Sequence, residues 1–168
     1  GCLALLASPY IAWEVYIYRF TLARLPEQLE VASIEFQNEE HWGIGLPSDN
    51  ETGFIAYRLT PESSNWIRRQ GTALADNLSG GRTEWSETPI VCSDQSCRWQ
   101  NDVVGPKDRP SLQGYLGRYG FGIQVDPQWV DKVNQAIRAP GSVYRYNRGG
   151  GVTIVVPAQG MAYHAYAG

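Results

Sequence analysis

The first twenty-five residues, GCLALLASPYIAWEVYIYRFTLARL, restrict this chain more than any other stretch. From Cys2 to Tyr18 the only charge is Glu14, and apolar or aromatic side chains fall on every side of a helical projection. A helix that is apolar all round has to be surrounded by lipid or by protein. At 1.5 Å per residue, about 17 residues make a rod of roughly 26 Å, slightly short of the ~30 Å hydrocarbon core of a bilayer. Tyr10, Trp13, Tyr16 and Tyr18 crowd its later half, and Arg19 and Arg24 follow. Amphipathic rings backed by basic residues are what a membrane–water interface selects. Residues 1–25 are therefore expected to form a membrane-spanning or membrane-anchoring helix. Two readings compete with it. A helix buried within the fold is favoured by Pro9, Glu14 and the marginal length, whereas a retained secretory signal would need a small-residue cleavage site that the segment lacks.

Residues 26–168 are long enough for a single domain with its own core. Of the 168 residues 43% are hydrophobic and 18% charged, which excludes a disordered chain. The net charge is −3 and the part after the apolar segment is also acidic, so the basic stripe that nucleic acid requires is missing. An acidic domain suits a basic protein partner instead.

Hydrophobic periodicity orders the rest. Val31 to Gln37 alternates and reads as a half-buried strand; after the Leu46–Asn50 turn, Gly53 to Leu59 reads as its neighbour. Thr60-Pro61-Glu62 opens a helix with a hydroxyl cap, a proline at the first position and an acid in the first turn. Arg68, Arg69 and Gly71 close it, and Thr72 to Arg82 is expected to be irregular. Ile90 to Cys92 and Cys97 to Trp99 form a short hairpin about Ser93–Ser96. Ser111 caps a helix over Leu112–Arg118. Asp126 caps a longer one, in which Val130, Val133 and Ile137 recur at spacings of three and four before Pro140-Gly141. Ser142–Asn147, Val152–Val156 and Met161–Tyr166 then supply three strands. In the last of them Met161, Tyr163 and Ala165 share one face, and Ala162, His164 and Tyr166 the other. The expected class is α+β, with a largely antiparallel sheet and two or three packed helices behind the apolar segment.

Chemistry is sparse. Glu39-Glu40-His41-Trp42 places carboxylates beside an imidazole and lies in a connection, where binding groups tend to sit. With Asp49 and Glu51, and secondarily Asp94 and Trp99, it forms the expected binding surface. Cys92 and Cys97 face each other across the short hairpin and are expected to form a disulfide, which implies an oxidising compartment. A metal site combining them with His41 and His164 would join histidines that are single and far apart, so no metal and no cofactor is expected. Arg148-Gly149-Gly150-Gly151 lacks the Lys-Ser/Thr and the helix of a phosphate loop and reads as a hairpin turn. No serine sits in a hydrolase motif. These features lead to a membrane-tethered, extracytoplasmic protein-binding domain, an inhibitor, an immunity-type protein or an accessory subunit of a membrane complex. Its rivals are a cell-envelope enzyme using His41 or His164 with a nearby acid, and a carbohydrate-binding module with an exposed aromatic platform.

Overall fold

The computed structural model describes the backbone of residues 2–41, 51–79, 84–91, 109–120, 122–147 and 150–168, and their side chains except those of 2–10 and 41. The elements run α1 (Cys2–Leu22), β1 (Val31–His41), β2 (Glu51–Leu59), α2 (Pro61–Gln70), a 3-10 turn (Gly71–Ala73), α3 (Leu74–Asn77), β3 (Ser86–Glu87), α4 (Leu112–Leu116), α5 (Pro127–Arg138), β4 (Val143–Tyr146), β5 (Val152–Val156) and β6 (Met161–Ala167). The α+β class is met: the strands form one six-stranded sheet, in the order β1-β2-β6-β5-β4-β3, with every neighbouring pair antiparallel.

The local signals explain the helices. Thr60 Oγ1 accepts from the Ser63 amide at 3.2 Å, Ser111 Oγ from Gly114 at 3.1 Å, and Asp126 Oδ1 from Gln128 at 3.0 Å. Each cap satisfies an amide that has no partner within its helix. The 3-10 turn and α3 replace the irregular stretch expected after Gly71. Leu74 and Leu78, four residues apart, both reach the core, and that burial outweighs a weak local pattern. Likewise β1 runs on through Asn38, Glu39 and Glu40, because Asn38 pairs with Phe54, Glu39 with Gly53 and Glu40 with Thr52. Backbone pairing carries the strand where side-chain alternation gives out.

The sheet is covered on both faces, so β2 and β5 are buried almost throughout. On the first face Phe54, Ala56, Ile154, Val156 and Tyr163 pack against Leu112, Leu116, Trp129, Val133 and Ile137 from α4 and α5. On the second, Ile55, Tyr57, Val155 and Ala162 pack against Ile67, Leu74, Leu78 and Trp85, joined by Leu25 and Leu29. Each fully buried aliphatic side chain contributes about 1.5–3 kcal/mol relative to exposure; truncating Ile154 to Ala, with its added cavity, costs roughly 2–5 kcal/mol.

The apolar segment is helical through Leu22, as read from the sequence; its foot joins the second core through Leu22 and Leu25, whereas the large side chains from Ile11 to Phe20 stand outside both cores. Ile11, Trp13, Val15, Tyr16, Tyr18 and Phe20 are between 46% and 58% exposed. Among the described residues no helix is long and apolar enough to cross a membrane. Glu14 and Arg19, with the hydroxyl ends of the tyrosines, dilute the apolar content below what a span requires.

Candidate functional site

The second face of the sheet changes character along its strands. At one end its inward residues are Ile55, Tyr57, Val155 and Ala162, beneath α2 and α3. At the other they are Glu51, Gly53, Thr153, His164 and Tyr166, and the cover is the foot of α1. Phe20, Arg24, Glu51, Asn147, Gly151, His164 and Tyr166 line an open concavity of about 230 Å³ there. Buried polar side chains on a sheet face that is elsewhere apolar, converging on a concavity, mark the default place to look for binding.

A clamp forms one wall. Arg24 Nη1 donates to Glu39 Oε1 at 3.0 Å, and the Tyr166 hydroxyl donates to the same oxygen at 2.5 Å. The Arg24 guanidinium lies 4.2 Å from the centre of the Tyr166 ring and 5.6 Å from that of Phe20, within cation–π range. Burial works against the Arg24 charge, but the Tyr166 and Glu39 oxygens outweigh it and raise its pKa further. Burial also pushes the Tyr166 and Tyr57 phenols above their ordinary range, so both stay protonated. Tyr57 donates to the carbonyl of Thr21 at 2.9 Å, pinning the last turn of α1 to the sheet. Gly53 makes the clamp feasible: a Cβ at that position would sit 2.5 Å from the Tyr166 ring.

The floor is His164, 5% exposed. Its Nδ1 lies 2.9 Å from Thr153 Oγ1 and 3.5 Å from Asn147 Nδ2. Burial, then the positive charges of Arg24 and Arg145, lower its pKa to about 3, so the imidazole is neutral across the physiological range. A base that weak is poorly matched to proton abstraction at neutral pH. Hydrogen bonding is the chemistry left to it.

Of the residues expected to form a binding surface, Glu39 and Glu51 come together here, but facing inward. Glu39 is a partner of the clamp, and Glu51 is buried against the cavity. Glu40 is half-buried in β1 and pairs with Thr52. His41 ends β1 opposite Glu51. The His41 side chain, Trp42, Asp49, Asp94, Trp99 and the Cys92–Cys97 pair lie outside the described residues. Among the described residues no group of three or more His, Cys, Asp or Glu side chains could hold a metal ion. An aromatic sugar platform is not available at this site either, because Arg24 covers one face of Tyr166 and the ring lies against Gly53.

In the sequence Arg24 reads only as a basic residue behind the interfacial aromatics and Tyr166 only as sharing a strand face with His164, with no binding role for either; Asn147 and Thr153 are not singled out, although Thr153 is the one polar residue in VTIVV. A second cavity, about 500 Å³, opens between α4 and α5, lined by Leu112, Leu116, Ile123, Val125 and Val130 together with the polar Gln113, Gln124 and Asp131. Compared with protein-family models, curated proteins and solved structures, the chain matches none of them.

Proposed function

We propose that this protein is a membrane-anchored, protein-binding domain, in which α1 inserts into a bilayer and the six-stranded body serves at its surface as an inhibitor, immunity-type protein or accessory subunit. The observation that carries the reading is the half-exposure of six large side chains from Ile11 to Phe20, spread round the helix. Covering half of each with lipid is worth about 1 kcal/mol per residue, and a contiguous apolar surface of this kind marks an interaction site. Trp13, Tyr16 and Tyr18 suit the headgroup level, which leaves the body outside the hydrocarbon. The insertion proposed is an anchoring one. An extracytoplasmic address belongs to the same proposal and rests on the cysteine pair expected from the sequence.

The surface offered to a protein partner is the outer edge of β1. Among the described residues the backbone hydrogen bonds of this strand run to β2 alone, and an open edge is a template for an added strand. Acid–base catalysis is less well supported, because among the described side chains the one imidazole at a cavity is held neutral and weakly basic.

Flotation of the full chain with lipid vesicles tests the anchor. The unmodified chain should float, and a variant carrying Ile11→Asp, Val15→Asp and Phe20→Asp should stay in the dense fraction with its body folded. An unmodified chain that remains in the dense fraction as a dispersed monomer would overturn the proposal.

A further inference from the structure

The two edges of the sheet are finished differently. Among the described residues β3 closes one edge with Ser86 and Glu87 alone, and an edge that short gives little for a further strand to pair with. β1, at the other edge, is eleven residues long. Its register slips between Val31 and Ser33 and again between Ile34 and Phe36, and such bulges twist an edge out of pairing. From Phe36 to His41, however, the residues pair one to one with Ala56 back to Glu51. No proline or lysine interrupts this run.

Hydrogen bonds one strand further in fix which backbone groups of the run face outward. The Gly168 amide donates to the Glu51 carbonyl at 2.9 Å, and the Leu59 amide to the Gly160 carbonyl at 3.0 Å. The odd-numbered residues of β2 thus turn their peptide groups toward β6, and the direction alternates along an antiparallel strand. Thr52, Phe54 and Ala56 turn theirs toward β1, where they meet Glu40, Asn38 and Phe36. The intervening Gln37 and Glu39 therefore aim N–H and C=O away from the sheet. Among the described residues nothing bonds these backbone groups.

The side chains select what can pair there. Phe36, Asn38 and Glu40 share the first face of the sheet. Phe36 lies half-buried, 5.8 Å from Phe54 and 6.2 Å from Trp129 between ring centres, and leaves part of its ring to an apolar neighbour. Asn38 is committed to the Gln124 carbonyl. Glu39 is met by Arg24 and Glu35 by Arg58, but among the described residues the half-buried Glu40 carboxylate has no ion-pair partner. Pairing with β1 of a second copy would set Glu35, Glu39 and Glu40 of both strands along one ladder, and facing like charges are destabilising. A basic strand has the opposite effect. We infer that the Phe36–His41 edge receives an extended, basic peptide segment of the protein partner, antiparallel to β1, with Lys or Arg opposite Glu40 and an aliphatic side chain opposite Phe36. This rests on the reading of β1 as the partner surface, and adds the partner's charge, polarity and register. Antiparallel pairing is the more stable kind and continues the sheet.

The probe is the fluorescein-labelled peptide Ser-Lys-Val-Thr-Val-Leu-Ser, its anisotropy measured against the full chain in zwitterionic detergent. In this register both valines turn their N–H groups to the edge, opposite Glu39 and Gln37, and the threonine turns its own away. N-methylation of the two valines should weaken binding roughly tenfold, the loss of two ordinary hydrogen bonds, whereas N-methylation of the threonine should leave it unchanged. Exchanging the peptide lysine for glutamate should weaken binding roughly fivefold, and Glu40→Lys in the protein should restore it. Gln37→Pro removes an outward N–H without breaking the ladder to β2 and should weaken the parent peptide as well; should that variant fail to fold, the methylated peptides and the charge exchange decide the matter. No saturable binding, equal effects of the two methylations, or a charge effect that Glu40→Lys does not reverse would each overturn the assignment. So would a dimer of the chain that Gln37→Pro dissolves. Peptide binding that survives in folded Gln37→Pro would overturn this edge and leave the wider protein-binding reading standing, while vesicle flotation tests the anchor separately.

Discussion

Gly53→Ala adds one methyl group where the structure leaves no room for it. The new Cβ would lie 2.5 Å from Cε1, Cζ and the hydroxyl oxygen of Tyr166, closer than carbon atoms approach in any folded protein. Tyr166 is a flat ring already fixed by Glu39 and by Arg24, so it cannot yield by a small rotation. Overpacking of this kind costs about 1–3 kcal/mol. Displacing the phenol from the carboxylate removes a charge-assisted hydrogen bond worth about 1.5–3 kcal/mol. The two losses overlap, because moving the ring relieves the clash, and the expected sum is about 2–4 kcal/mol. For a chain of this size that lowers Tm by roughly 5–15 °C. The assay is urea unfolding at neutral pH of Gly53→Ala, Tyr166→Ala and the double variant. Once the ring is gone the methyl should be nearly free of cost, within about 0.5 kcal/mol, since alanine loses less backbone entropy than glycine. A single Gly53→Ala variant as stable as the parent, or an equal penalty in the Tyr166→Ala background, would refute the reasoning.

Glu39→Gln keeps the shape of the clamp and removes its charge; because the pair is about one-sixth exposed, the expected loss is about 2 kcal/mol, between surface and buried values, read by the same unfolding assay. Tyr57→Phe should free the end of α1 from the sheet at a cost of about 1 kcal/mol, visible as faster hydrogen exchange of the amides near Thr21. The His164 pKa, about 3 in the folded protein, lies below its unfolded value of 6.5, so the neutral ring favours folding above pH 6.5 and that contribution is lost as pH falls toward 3. Stability should drop across this window with a slope approaching 1.4 kcal/mol per pH unit, and a slope unchanged in His164→Gln would remove histidine as the cause. Thr60→Ala should cost about 1 kcal/mol through the lost α2 cap, measured as a shift of the urea midpoint at constant m.

What was legible in the sequence was whatever depends on neighbours a few residues apart. The caps at Thr60, Ser111 and Asp126, the alternation in Val31–Gln37, the short apolar runs of β2 and β5 and the sided grouping of Ala162, His164 and Tyr166 all express local geometry, helical at 3.6 residues per turn and extended at two. The all-round apolarity of α1 was equally plain, because it needs no partner to be read. The extension of β1 across Asn38 to Glu40, the burial of Leu74 and Leu78 and the strand at Ser86–Glu87 were not legible, since each exists through an element distant in the chain. The site belongs to this second kind. Glu39 looked like a solvated carboxylate beside a histidine, yet Arg24, fifteen residues earlier, and Tyr166, 127 residues later, turn it inward. Composition and periodicity determined that a largely antiparallel sheet with packed helices would form behind an apolar helix. Only the order β1-β2-β6-β5-β4-β3, which brings the last strand between the second and the fifth, decided that the foot of that helix would line a polar concavity at His164. Pairing across the sheet is set by the packing of the whole body, which no short window of residues contains.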